Sequence, residues 1–150
     1  MKARSPLAAR MLALAMALIL KAQPSIAESN GPLTNRPGDQ DRGLLVFLDS
    51  ERGHCLLCHQ LSSVDAPFQG NIGPTLDAVG DRLSAGSIRA RIVDPTRLNP
   101  ATAMPAYHRT DDLHQVATKY KDRPILTAQE VEDLVAFLRA QRHQQQGKTP

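Results

Sequence analysis

Cys55-Leu56-Leu57-Cys58-His59 is the stretch from which the rest of this chain is read. Its C-x-x-C-H spacing is the attachment signature of a c-type haem. The spacing has a physical cause. Two thiols three residues apart at a helix end reach the two vinyl groups on one haem edge, and the next residue sets an imidazole under the iron. Three other readings compete. A thioredoxin-like redox pair needs a βαβ context, and no strand pattern in the sequence is convincing. A zinc site needs a second ligand pair at comparable spacing, which is absent. A structural disulfide leaves His59 without a role. The expected cofactor is one covalently attached haem c per chain, held by Cys55 and Cys58, with His59 as an axial iron ligand.

A sixth iron position then needs an occupant. The four methionines are Met1, Met11, Met16 and Met104. The first three lie in an apparent leader, which leaves Met104 as the only thioether beyond it. Met104 sits in Ala103-Met104-Pro105, inside a long loop with no apolar stripe. Filling a gap in the core is the alternative; a lone Met in a Pro-bounded loop suits an iron ligand. His108 and His114 are rivals close in sequence, each also readable as a surface histidine. His54 adjoins Cys55, which disfavours it by backbone geometry, and His143 lies in the tail. An open sixth position leaves Met104 unexplained. Gly73-Pro74-Thr75-Leu76 follows His59 in a loop. Pro74 offers a carbonyl with no amide of its own to satisfy, so it is the expected acceptor for His59 Nδ1–H, fixing the tautomer. Its alternative is a plain turn. Arg82 is a candidate partner for a haem propionate, or else a solvated surface arginine.

Upstream, residues 1–27 read as a secretory signal peptide. Lys2, Arg4 and Arg10 form a positive start, Met11 to Leu20 is an uninterrupted apolar run, and Ser25-Ile26-Ala27 is the expected cleavage site. The ten apolar residues span only about 15 Å as a helix, half of the roughly 30 Å of bilayer hydrocarbon. No stable membrane insertion is expected, and the protein is placed in the periplasm. The formal charge of +3 is uneven: four of the 18 basic residues and none of the 15 acidic ones precede residue 28. Beyond the leader, 14 basic residues face 15 acidic ones, so no nucleic-acid partner is expected.

Of the 150 residues, 41% are hydrophobic and 22% charged, as in ordinary soluble proteins, but only 3% are aromatic and none is Trp. A core so poor in large rings needs apolar mass from elsewhere, and a bulky cofactor supplies it. Residues 28–40, with Gly31, Pro32, Pro37 and Gly38, read as a flexible lead-in. From Asp41 the apolar spacing of Leu44, Leu45, Phe47 and Leu48 predicts a helix, with Gly53 as its stop. Residues 60–83 are loop-like. A short helix is predicted over 85–93, ended by Asp94-Pro95. A weak helical pattern runs from Asp111 to Tyr120. Thr127 and Glu130 form a capping box that opens a final amphipathic helix with Val131, Leu134, Val135 and Leu138 on one face. The expected fold is all-α, with helices packed around a covalent haem and long Pro/Gly-rich loops. Its domain spans 41–142, followed by a polar tail, 143–150.

Taken in order, these features resemble class I cytochromes c: C-x-x-C-H, Gly73-Pro74-Thr75-Leu76, a Met-Pro loop and an amphipathic last helix. The resemblance implies that Gly43 and Phe47 on the first helix pack against Phe137 on the last. Three stretches narrow it to the SoxX family, the monohaem subunits of the SoxAX sulfur-oxidising cytochromes. They are Gly70-Asn71-Ile72-Gly73-Pro74-Thr75-Leu76-Asp77-Ala78-Val79-Gly80-Asp81-Arg82, Thr102-Ala103-Met104-Pro105-Ala106-Tyr107 and Ile125 to Leu138. Ile92-Val93-Asp94-Pro95 and Asn99-Pro100 add to the likeness.

That resemblance implies a His/Met haem and a heterodimer with a SoxA-like cytochrome. Such a complex is an L-cysteine S-thiosulfotransferase, which oxidatively couples thiosulfate to a Cys of a SoxYZ-like carrier. The SoxA-like chain bears the Cys-ligated haem where the sulfur chemistry occurs, and this chain takes electrons away, toward a downstream acceptor cytochrome. The residues agree with that division. Haem attachment uses both cysteines, so no thiol remains for a persulfide, and no Ser/His/Asp set or convergent carboxylate pair is visible. The chain alone is therefore expected to be an electron carrier within an enzyme complex, with no catalytic residues of its own. The rivals are a free-standing monohaem carrier, a cytochrome subunit of another periplasmic dehydrogenase, and a haem gas sensor with an open iron site.

Overall fold

In the computed structural model, residues 31–143 are described. The expected leader, 1–27, and the tail beyond His143 lie outside them. Among the described residues five α-helices and two 3-10 turns follow in order, and no strand occurs. Helix α1 spans Gln40–Leu48, α2 Cys55–Cys58, α3 Val79–Arg82, α4 Ala85–Val93 and α5 Ala128–Ala140. The 3-10 turns are Pro95–Arg97 and Thr118–Tyr120.

The longer helices begin where local chemistry supplies a cap. The Asp39 carboxylate accepts from Arg42 N and opens α1, and the Ser84 hydroxyl accepts from Ser87 N and opens α4. Thr127 and Glu130 form the full capping box at α5. The predicted helices from 41, over 85–93 and after Thr127 are thus present. The predicted weak helix over 111–120 is not. Asp112 and Gln115 there adopt positive φ, 51° and 57°, which an α-helix cannot contain, and only the turn at Thr118 remains.

Helix α5 is the spine of the domain. It buries Val131, Leu134, Val135, Phe137 and Leu138, and α1 crosses it at very close range. Gly43 makes that approach feasible: a Cβ there would lie 2.1 Å from the Asp133 carbonyl oxygen. One turn on, the Phe47 and Phe137 rings pack with centroids 5.3 Å apart, tilted by 48°. These are the contacts that the class I cytochrome resemblance implies. Phe47 is 1% exposed, and its truncation to Ala costs about 3–5 kcal/mol by the usual cavity penalty.

The lead-in differs from its sequence expectation. Its described part, residues 31–39, lies along α5 and is tied to it by polar groups. Leu33 N donates to Glu132 Oε1 at 2.9 Å, and Asp39 N to Asp133 Oδ1 at 2.9 Å. Gly38 passes so near α5 that a Cβ would sit 2.0 Å from the Glu132 carbonyl oxygen. The same two acids hold the neighbouring helices. Arg42 grips Asp133 through Nε and Nη2 at 2.7 and 2.8 Å, and Arg89 on α4 grips Glu132 with two contacts of 2.7 Å. Burial opposes ionisation of Asp133, but Arg42, Gln129 and the Asp39 amide outweigh it and hold its pKa at about 2. Two buried acids beside the apolar face of α5 are therefore the posts to which the lead-in, α1 and α4 are fastened.

Candidate functional site

The attachment segment begins at a sharp turn. His54 adopts a left-handed backbone, φ 49°, and the single helical turn Cys55–Cys58 follows. His59 N donates to the Cys55 carbonyl at 2.9 Å and closes that turn, so both thiols and the imidazole are presented together. Burial pushes the Cys55 thiol up to about 12, the reverse of the activated thiolate that a redox dithiol requires. The two thiols are not joined to each other.

A loop then wraps back over the histidine. Gly73 N donates to the Cys58 carbonyl at 2.8 Å, and Leu76 N to the Gln60 carbonyl at 2.8 Å. Between them, the Pro74 carbonyl lies 2.8 Å from His59 Nδ1. A carbonyl can only accept, so Nδ1 carries the hydrogen of this bond, and in the neutral ring that leaves the lone pair on Nε2, the tautomer an iron-ligating imidazole needs. Gly73 sits flat against the ring: a Cβ would lie 2.3 Å from His59 Cε1. Glycine is therefore required there for space.

Arg82 closes this loop from beneath. It donates to the Asp77 carbonyl at 2.6 Å and the Thr75 carbonyl at 2.7 Å. The structure so gives Arg82 a loop-holding part that the sequence reading did not assign. Asp77 in turn accepts from Ser62 N and Oγ, each at 2.8 Å.

Met104 arrives from the other side of the chain. Its loop is laid against α4 and the entry to α5 by backbone bonds: Tyr107 N to the Ile92 carbonyl at 3.0 Å, and Leu126 N to the Tyr107 carbonyl at 2.8 Å. The Met104 side chain is half-buried and packs on the hydrophobic core. Of the rival ligands, His108 turns Nδ1 to the Leu126 carbonyl at 2.8 Å, and neither His108 nor His114 lines the cavity that Met104 lines.

That cavity has a volume of about 760 Å³ and is walled mostly by apolar groups. Cofactor pockets commonly fall between about 300 and 1,000 Å³. Cys55, Cys58, His59, Pro74, Arg82 and Met104 all line it. So do Phe47, Val79, Ile88, Ile92, Leu126, Leu134 and Leu138, more than half of the buried core cluster. The residues fit a haem on three separate counts. The thiols and the ring stand at one wall, a thioether reaches the same space, and the core itself is the lining.

Sequence reasoning missed one surface feature. Leu57, Phe68 and Ile72 are 65%, 90% and 73% exposed. They are neighbours through the chain, because Gly70 N donates to the Leu56 carbonyl at 2.8 Å and brings 68–72 against the attachment turn. Three bare apolar side chains beside the cysteines form an apolar patch. The signal for Phe68 and Ile72 was in the sequence: large apolar residues in a Pro/Gly-rich loop that belong to no helix face.

These features define a c-type cytochrome. The cytochrome c family matches residues 41–142, and the chain belongs to that family. A chain in the crystal structure of SoxXA from P. pantotrophus is similar at 31% sequence identity and a TM-score of 0.70, over 75% of this chain and 88% of that one. The protein is a SoxX-like class I cytochrome c that carries haem c and transfers electrons. No curated protein matches its sequence. No helix among the described residues is long and apolar enough to cross a membrane.

Proposed function

We propose that this cytochrome is the electron-accepting subunit of a periplasmic complex that couples thiosulfate to a cysteine of a carrier protein. The likeness to a SoxXA chain is the observation that carries this reading. Joining thiosulfate sulfur to a carrier thiolate forms an S–S bond and releases two electrons, which must leave through a redox centre. When bound, haem c supplies a one-electron couple whose potential a thioether ligand raises.

The residues take their parts as follows. Cys55 and Cys58 would hold the haem covalently, and His59 and Met104 would ligate its iron. Pro74 orients the His59 ring through Nδ1, and Arg82, which holds its loop, would pair with a haem propionate. Both cysteines are spent on attachment, so the sulfur chemistry belongs to a partner, a SoxA-like cytochrome that forms a heterodimer with this chain. Leu57, Phe68 and Ile72 suit that contact, because they lie beside the attachment turn and are apolar. Electrons then pass to a downstream cytochrome. A cleaved leader at 1–27 and attachment of haem after export support a periplasmic location.

Mixing the purified components and following haem absorbance tests this. Thiosulfate with this chain alone is expected to leave the haem oxidised; adding the SoxA-like chain and the SoxYZ-like carrier is expected to reduce it. Fast reduction of the isolated chain by thiosulfate refutes the subunit reading. No reduction with all components present favours a free-standing carrier.

A further inference from the structure

The loop that carries Met104 leaves α4 at Asp94 and comes back to the same carboxylate at Arg109. Asp94 is 4% exposed. At the outgoing end it accepts from Thr96 N at 3.2 Å and Thr96 Oγ1 at 2.5 Å. At the returning end, Arg109 Nη1 donates to Asp94 Oδ2 at 3.2 Å and to Thr96 Oγ1 at 3.0 Å. Arg109 Nε is buried with no hydrogen-bond partner, so its guanidinium leans heavily on Asp94. Burial works against ionisation of Asp94, yet Thr96 and Arg109 hold its carboxyl below the usual range. Neither Asp94 nor Arg109 lines the cavity.

We propose that Asp94 and Arg109 form a clasp that shuts the loop between them and keeps Met104 seated as the iron ligand. Both are positioning residues. The inference rests on the reading of Met104 as that ligand. Its physical basis is tethering. Within the clasp, Pro95–Arg97 is a 3-10 turn and residues 98–104 are held by short-range bonds, such as Met104 N to Thr102 Oγ1 at 3.2 Å, while beside Arg109 the Tyr107 and His108 amides donate to the Ile92 and Val93 carbonyls at 3.0 and 3.3 Å. Such a segment opens readily unless its ends are tied. Each opening frees the thioether, and closure by a charged pair at the base makes opening rare.

Uptake of imidazole by the ferric protein reads the opening directly, because imidazole binds iron only when the sixth position is free. Asp94→Asn and Arg109→Gln are each expected to take up imidazole about tenfold faster than wild type, the scale of losing a charge-assisted hydrogen bond. Arg97→Ala is expected to match wild type, since Arg97 is 80% exposed and lies 3.4 Å from the same carboxylate. If Asp94→Asn fails to mature, Arg109→Gln carries the test. A lowered thermal midpoint with an unchanged uptake rate shows a merely structural pair and overturns the clasp. The near-infrared Met–iron band separates the two readings. Its absence in wild type refutes the Met104 ligand and the clasp with it; its presence with unchanged uptake refutes the clasp alone.

Discussion

Replacing Gly73 by Ala puts one methyl group against the face of His59. The added Cβ lies 2.3 Å from Cε1, 2.6 Å from Nδ1 and 2.9 Å from Nε2. Ordinary carbon contacts begin near 3.5 Å, so something must move by about 1.2 Å. The Gly73 backbone resists, because its N–H is bound to the Cys58 carbonyl at 2.8 Å. The ring must therefore give way, and a shift of that size carries Nδ1 out of hydrogen-bond range of Pro74. Overpacking costs about 1–3 kcal/mol, and the lost hydrogen bond about 1 kcal/mol more. A total of about 2–4 kcal/mol lowers the melting temperature of a domain near this size by roughly 10 °C or more. Gly31→Ala is the control, since a Cβ there meets nothing within 4 Å. Thermal melts followed at the Soret band give the stability, and the His59 ring proton shifts of the ferrous protein give the ring position. A Gly73→Ala protein with wild-type melting and wild-type ring shifts refutes the steric argument.

Three further outcomes are expected. Acid acetone leaves the haem on wild-type protein, and Cys55→Ala or Cys58→Ala weakens its retention; colour lost from wild type would overturn covalent attachment. Met104→His lowers the midpoint potential, on the order of 0.1 V within the roughly 0.8 V range that axial ligands span, as redox titration would show. Asp133, held at about 2, stabilises the fold at pH values above the unfolded carboxyl range, and that contribution fades as pH falls from about 4 toward 2. It amounts to about 2 kcal/mol, so urea titrations across that range should show Arg42→Ala losing less stability on acidification than wild type.

The sequence was most informative where one short stretch carries its own cause. The C-x-x-C-H turn, the Thr127 and Glu130 box and the Asp94-Pro95 stop each act within a few residues. The Gly43, Phe47 and Phe137 contact came through family resemblance, since nothing local pairs positions on the first and last helices. What escaped reading was held from a distance. The segment 31–39 looks mobile by its own residues, and its fastening lies in Glu132 and Asp133, far along the chain. Nothing local in the sequence marks Arg109, which only folding brings to Asp94. The Asp111 to Tyr120 helix failed for the opposite reason: its apolar spacing was too weak to outweigh a backbone that turns left at Asp112 and Gln115.

The walls of the cavity have an evolutionary consequence. Gly43 faces Asp133, and Phe47 faces Phe137, across helix contacts in which both members are encoded. A change on one side of such a contact can be answered by a change on the other. Ile88, Ile92, Leu126, Leu134 and Leu138 face a space lined for haem. Haem comes from a biosynthetic route that this gene does not control, and its shape never drifts. Substitutions at those five positions have no second site on the haem side to compensate them, so they should vary least among descendants of this sequence. The helix contacts can wander in pairs.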